Sequence, residues 1–555
     1  MKTGIRFTCL ENGDNLLGQN WTYKTKTGVE AIVEKVADMF EHVSNLNITY
    51  VIDKLVIGKD KTNSLYLPNT GINGNLWPIT ERLGQYNLMI QKYNIDLVVE
   101  IEYPTRITSF NYMDYAKYTV ELISKYSFIK NWQIMTNPEE VDKMKEYKCP
   151  PDVYVQMMKY IYPLIHDNYS DIKIGGPGCS DAINEYVKTE YKNEDKQVFH
   201  QGWLAAATGE YYGTSPQYDA TEKGGFLQYI DFFAFQGDNS TGKFTYETFP
   251  AVIVKLKQGL NKQAQRAGFN LNVEYWSTKQ GHMANYDNVS DLQLQAYRDL
   301  KEYMVDFAMG IIPFKKQLVD EFYDPNSGID LNAYGILYYY LGLDRKPSFQ
   351  QFKFILKMLE DYDDICRDEL LIKAKRPYDI TTADVQSVMF MAKDKSKVLT
   401  IVYPAIERII SEGAKNVATV TLKPALNRTI HVPDGSQYTI TTPTNVNFKS
   451  YDFIAVEESL IVSTKNKEEL RADVTNKLNF YNTYIQNLLK MVPDDYNKEV
   501  YDTNFYNLLR AAGIEFGDLR YDMSILKDNY FLRTAHGDAI FNNFGAIIGV
   551  KWKPK

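Results

Sequence analysis

Eight short runs rich in β-branched and aromatic residues, each followed by an amphipathic stretch, constrain this chain more than any other feature. The runs are TGIRFTCL (3–10), ITYVIDKL (48–55), IDLVVEIEY (95–103), WQIMT (132–136), IKIGG (172–176), IDFFAFQG (230–237), LNVEYW (271–276) and GIIPFK (310–315). Between them lie helix-period segments such as MDYAKYTVELISKY (113–126) and PDVYVQMMKYIYPLIHDNY (151–169). Strands separated by helices point to a parallel sheet. A count of eight favours a closed (β/α)8 TIM barrel over a doubly wound sheet. No GxGxxG or P-loop pattern opens any of the helices, so nucleotide binding has no support.

After about residue 375 the pattern changes. VQSVMFMAKD, KVLTIVYPA, NVATVTLKP, NRTIHVP, QYTITTP and YDFIAVEESLIV follow one another as short strands bounded by Pro, Asn, Asp and Lys. That spacing predicts an antiparallel β-sandwich. Beyond about 465 the chain reads as helical. The 555 residues thus divide into a barrel at 1–375, a sandwich at 376–465 and a small α-helical module at 466–555, as expected for a chain too long for one core.

Charge and cysteines narrow the function. A formal net charge of −8 argues against a nucleic-acid partner, which needs clustered Lys and Arg. Cys9, Cys149, Cys179 and Cys366 are scattered without a CxxC or a neighbouring His pair, so no metal site or cofactor is expected. The N-terminal MKTGIRFTCLENGDN turns polar before an apolar leader core accumulates, and no apolar run is long enough for a membrane span. The chain is rich in Tyr, with 43. Tyrosine suits sugar rings and protein interfaces alike.

In a barrel the chemistry sits where strands end. The carboxylates at or near predicted strand ends are Glu102, Glu139, Asp238 and Glu274. Retaining glycosidases need two carboxyl groups roughly 5–5.5 Å apart, one as nucleophile and one as proton donor. Glu274 lies late in the apolar run LNVEYW, where an unpaired carboxylate is costly. Two readings stay open for it: a nucleophile, or a structural partner of a neighbouring Lys or Tyr.

WQIMTNP, YVQMMKYIYPLIHDNYSDIKIGGPG, IDFFAFQ and NVEYW, in this order, resemble the clan A glycoside hydrolases, most closely the β-xylosidase and α-iduronidase group of family thirty-nine. IEYP (101–104) resembles the third-strand end of such enzymes, and the likeness spans about residues 1–465. The resemblance implies Glu274 as nucleophile. It puts Asn137 at the acid/base position, Thr136 at a sugar-contacting Asn, and Gln236 where the family often has His. An amide has no proton to give, so the acid is missing. Glu139, two residues on, is either a substitute acid or, with Glu140, the acidic opening of the next helix. Trp203, Tyr275 and Trp276 are candidates to stack on a sugar or to pack in the core, while His200 and His282 read as ordinary hydrogen-bonding residues.

Near the C-terminus, Phe505, Leu508, Ala512, Phe516, Leu519, Met523 and Leu526 recur at three- and four-residue steps, an apolar helix face that needs a partner. NYFLRTAHGDAIFNNFGAIIGV is expected to add a turn and a second short helix, with Gly537 and Gly545 as stops. EFGDL (515–519), TAHGD (534–538) and FGAIIGV (544–550) resemble a helical module of bacteriophage baseplate and tail proteins. That resemblance implies docking through Phe505, Leu508, Phe516, Leu519 and Met523. The expected protein is therefore a virion tail or baseplate component, assembled in the host cytoplasm beside other tail subunits. Its barrel would be a degenerate glycosidase, retained either to face host surface polysaccharide or as a purely architectural domain. The rival is an active retaining glycosidase or depolymerase that uses Glu274.

Overall fold

The computed structural model describes residues 1–7, residues 39–460 with interruptions, and three strands between 530 and 552; the largest interruptions are 211–221, 238–248, 319–333 and 405–417. Two compact units emerge, Met1–Glu360 and Asp361–Lys555.

All eight predicted strands form, and they close into one parallel barrel. They are β1 (Gly4–Arg6), β2 (Tyr50–Val56), β3 (Asp96–Glu102), β4 (Asn131–Ile134), β5 (Lys173–Cys179), β6 (Phe232–Phe235), β7 (Glu274–Gln280) and β8 (Ile311–Lys315). Each pairs with its neighbour in sequence, and β1 joins β8 through Gly4 opposite Phe314. The helices described between and after the strands include α1 (Ile79–Tyr93), α2 (Tyr112–Lys125), α3 (Pro151–Asn168), α4 (Trp203–Ala207), α5 (Phe249–Arg266), α6 (Val289–Met309) and α7 (Pro347–Met358). Helix α3 starts with Pro at its first position, where the missing N–H costs nothing, and carries Asp152 in its first turn.

The barrel interior is packed. Tyr50, Ile52, Val98, Phe232, Ala234, Trp276 and Phe314 form one cluster, in which Trp276 lies flat on Phe232 with centroids 3.8 Å apart. Two glycines make room for these rings. A Cβ on Gly175 would stand 2.2 Å from Phe232, and one on Gly4 would stand 2.0 Å from Phe314. The IKIGG run is thus scaffold: small backbone on β5 admits large side chains from β6.

The second unit begins earlier than expected, because Tyr362–Ile365 (β9) pairs with the sandwich strand Val385–Ala392. With β10 (Tyr378–Ile380), β11 (Val385–Ala392), β12 (Lys397–Pro404), β13 (Ala418–Leu422), β14 (Arg428–His431), β15 (Gln437–Tyr438), β16 (Thr444–Phe448) and β17 (Ile454–Ser459), it forms two antiparallel sheets, ordered β9-β11-β12-β17-β14-β15 and β10-β13-β16. Their apolar faces share one core that includes Val402, Leu422, Ile430, Phe448 and Val456.

The C-terminal expectation of a second short helix is corrected. Tyr530–Arg533 (β18), Gly537–Phe541 (β19) and Ile547–Trp552 (β20) form an antiparallel three-stranded sheet. Short apolar runs do not distinguish helix from strand by period, and Ile540, Ile547, Ile548, Val550 and the aromatic residues prefer the pleated form. Phe505, Leu508, Phe516, Leu519 and Met523 lie outside the described residues.

Candidate functional site

Parallel strands define the ends of the barrel: residues that open the strands share one end, and residues that close them share the other. The closing end holds a buried polar network. Arg6, last in β1, donates from one guanidinium nitrogen to Glu100 of β3 and to the carbonyl of Thr278 in β7 at 3.2 Å. The Thr136 hydroxyl donates to the other Glu100 oxygen, and Gln133 Nε2 reaches Thr136 Oγ1 at 3.3 Å. Glu100 is 1% exposed and Arg6 is 9% exposed. Burial alone would push the Glu100 carboxyl up, but the Arg6 charge and the Thr136 and Arg6 hydrogen bonds outweigh it and hold the group below the ordinary range. Both oxygens of Glu100 are therefore occupied, and Arg6 bridges the mouth from β3 to β7.

Beside it, Glu102 closes β3 between Lys54, at 2.7 Å, and Lys148, at 2.9 Å. Burial raises its pKa, while the two ammonium groups lower it further than burial lifts it. The charges on this side of the mouth are neutralised internally.

The chain leaving β4 is bent. Met135 has φ 72° and Asn137 has φ 48°. Asn tolerates the left-handed region, whereas a long side chain such as Met adopts it only under constraint. Part of that constraint comes from β5, where Gly178 accepts the Asn137 N–H at 3.3 Å. With φ 62°, Gly178 packs so tightly that a Cβ would stand 2.4 Å from Gln133 Nε2. The bend presents Asn137 to β6. Gln236 Nε2 donates to Asn137 Oδ1 at 2.6 Å, and Asn137 Nδ2 donates to Glu140 Oε1 at 2.8 Å.

Asn137 and Gln236 thus meet at the mouth, and Thr136 lies beside them on Glu100. Glu139 does not join them. Its Oε1 accepts the Ser180 N–H at 2.6 Å and the Ser180 hydroxyl at 3.2 Å, and it is 8% exposed. Nor does it open a helix, since α3 starts only at Pro151. The exposed carboxylate that reaches Asn137 belongs to Glu140.

Glu274 stands at the opposite end, which corrects its expected place. It opens β7, in register with Phe232, which opens β6. Thr278 lies four positions further on, about 13 Å along a strand. Its partners are Lys2 at 2.8 Å, Lys173 at 3.1 Å and the Trp276 indole N–H at 3.2 Å, so the structural reading prevails. Burial raises its pKa, but the Lys2 hydrogen bond and the Lys173 charge more than compensate, and the group lies below its ordinary value. The strand begins later than its apolar residues suggest. Leu271 and Val273 only lead into it, and the polar Ser277, Thr278, Lys279 and Gln280 complete it.

None of the three aromatic candidates offers a face to the mouth. Trp276 is in the barrel core. Tyr275 lies under the Lys257 ammonium, 4.3 Å from its ring centroid, and burial lifts its hydroxyl to about 12. Trp203 is buried on α4, where it donates to the Cys149 carbonyl at 2.7 Å. His282 is an ordinary buried partner of Glu302, at 3.2 Å. His200 and Asp238 lie outside the described residues. Sequence reasoning missed Arg6, Glu100 and Glu140. Glu100 carried a signal, as a carboxylate inside the apolar run LVVEIE. Among the described residues no group of three or more His, Cys, Asp or Glu side chains could hold a metal ion, and no described helix is long and apolar enough to cross a membrane.

No protein-family model matches the sequence, and no curated protein matches it. Solved structures do show similarity. A monomeric β-xylosidase from Caulobacter crescentus CB15 is 10% identical, with 83% of this chain and 96% of that one covered, at a TM-score of 0.47. An α-L-arabinofuranosidase from Thermotoga maritima, in complex with arabinose, is 10% identical over 83% and 96% of the two chains, at 0.47. A GH39 enzyme from Xanthomonas axonopodis pv. citri is 12% identical over 83% and 94%, at 0.46. Nothing about this chain follows from similarities of this size.

Proposed function

We propose that this chain is a bacteriophage tail or baseplate component whose barrel binds carbohydrate without cleaving it. One observation carries the non-hydrolytic part. Among the described residues, the mouth offers no pair of available carboxylates: Asn137 stands where the resemblance implies the acid, and Glu274 lies at the other end. Glu100 is sealed by Arg6 and Thr136. Retaining hydrolysis needs both groups at one glycosidic bond, and an amide supplies no proton. What remains exposed around Asn137 is an array of amide and carboxylate groups suited to hydroxyls.

The virion assignment is supported by sequence alone, through EFGDL, TAHGD and FGAIIGV and the apolar stripe from Phe505 to Met523. The test has two arms. Titration of the full chain with oligosaccharides, with product analysis of the same samples, is expected to give binding and no shortened product. Antibody labelling of purified particles is expected to mark the tail. Hydrolysis products would overturn the first part, and unlabelled particles the second.

A further inference from the structure

The hydrogen bonds that cross the mouth have a fixed direction. Gln236 donates to Asn137 through its amide nitrogen, 2.6 Å from Oδ1, which obliges the Asn137 nitrogen to point the other way. There it donates to Glu140 at 2.8 Å. The relay runs from β6 to the loop after β4 and ends on an exposed carboxylate. Glu140 is tied at its backbone as well: its N–H donates to the Asn137 carbonyl at 3.1 Å, and its carbonyl accepts the Lys148 N–H at 2.6 Å. The carboxylate therefore sits on an anchored segment.

Among the described residues no cation is paired with its charge. Three described cations of the mouth are already taken, Arg6 by Glu100 and both Lys54 and Lys148 by Glu102. Among the described residues the Glu140 side chain has the Asn137 amide as its partner and no ammonium or guanidinium. A carboxylate held by one neutral donor retains acceptor capacity for a second, charged one. Resting on the reading of the barrel as a carbohydrate-binding site, we propose that Glu140 makes this site selective for glycans with free amino groups. An amino-sugar ammonium would lie on the Glu140 carboxylate while adjacent hydroxyls bond the Asn137 and Gln236 amides. Acidic glycans bring a like charge to Glu140 and are disfavoured.

The experiment uses the full-length chain and three probes: oligomers of β-1,4-linked glucosamine, the same oligomers N-acetylated, and oligogalacturonate. The net charge of −8 attracts any cationic oligomer to some extent, so the readout is the wild-type preference minus that of Glu140→Gln. Glu140 is exposed, and an unchanged thermal midpoint will show that the variant folds. The wild type is expected to bind the amino oligomer about tenfold more tightly than the acetylated one, in keeping with a charge-assisted hydrogen bond. Oligogalacturonate should bind most weakly, and E140Q should abolish the preference. Equal wild-type affinity for amino and acetylated oligomers, or a preference that survives in E140Q, overturns the proposal but leaves carbohydrate binding intact. Failure of all three probes to bind overturns the underlying reading as well.

Discussion

Removing the Glu100 charge should cost more stability than any other single polar change at the mouth. In Glu100→Gln the Arg6 guanidinium stays buried and loses the carboxylate it donates to, while the Thr278 carbonyl at 3.2 Å remains among its contacts. Breaking a buried ion pair from one side costs about 3–5 kcal/mol. For the unit Met1–Glu360, an unfolding entropy of about 2.1 cal/mol/K per residue converts this to a fall of roughly 4–7 °C in midpoint. The double variant Arg6→Met, Glu100→Leu removes both charges and should recover most of the loss. Calorimetry of the full chain, following the barrel transition, measures each midpoint. The pH dependence has a definite sign. Glu100 has a folded pKa lowered from 4.5, so its contribution is present above the unfolded value and is lost as pH falls through the folded one. The wild-type advantage over E100Q should shrink below about pH 4.5. An E100Q midpoint equal to wild type, or a double variant worse than E100Q, would refute the buried pair as the mouth's structural centre.

Further outcomes are expected. Glu274→Gln should cost no more than about 1 kcal/mol, because Lys2 and Lys173 are 48% and 40% exposed at the side chain, and it should leave glycan binding unchanged in the same titrations. Trp276→Ala should cost about 3–5 kcal/mol in urea unfolding through the cavity left beside Phe232 and Phe314. The His282–Glu302 pair has both pKa values raised, from 6.5 and 4.5, so the folded state holds more protons than the unfolded one. Its contribution should fall as pH rises from about 4.5 through the elevated His282 value, a slope that H282Q/E302Q should lack on comparison of urea midpoints across pH.

The barrel was legible because fully buried parallel strands are written as apolar runs, and each of the eight could be read directly. What failed was register. Leu271 and Val273 looked like strand while Ser277–Gln280 did not, so Glu274 was placed a strand's length from where it lies. The Arg6–Glu100 pair was hidden for a different reason. Its members are 94 residues apart, and only closure of the barrel brings β1 and β3 onto one mouth. Of the adjacent pair Glu139 and Glu140, only Glu139 stood as a candidate for the site. A loop geometry with Asn137 in the left-handed region turned Glu139 to Ser180 and Glu140 to the amide. The segment 530–552 was misread because its short apolar runs carry no decisive period.

The central claim is that, among the described residues, the mouth lacks the carboxylate pair on which retaining hydrolysis depends. An activated 2-deoxy-2-fluoro glycoside tests this most directly, because its good leaving group removes the need for a proton donor and its fluorine lets a glycosyl–enzyme adduct accumulate. Intact-mass spectrometry of the full chain after prolonged incubation should show the unmodified protein alone. A stoichiometric mass increase of one fluorosugar, mapped to a carboxylate of the barrel, would contradict the account.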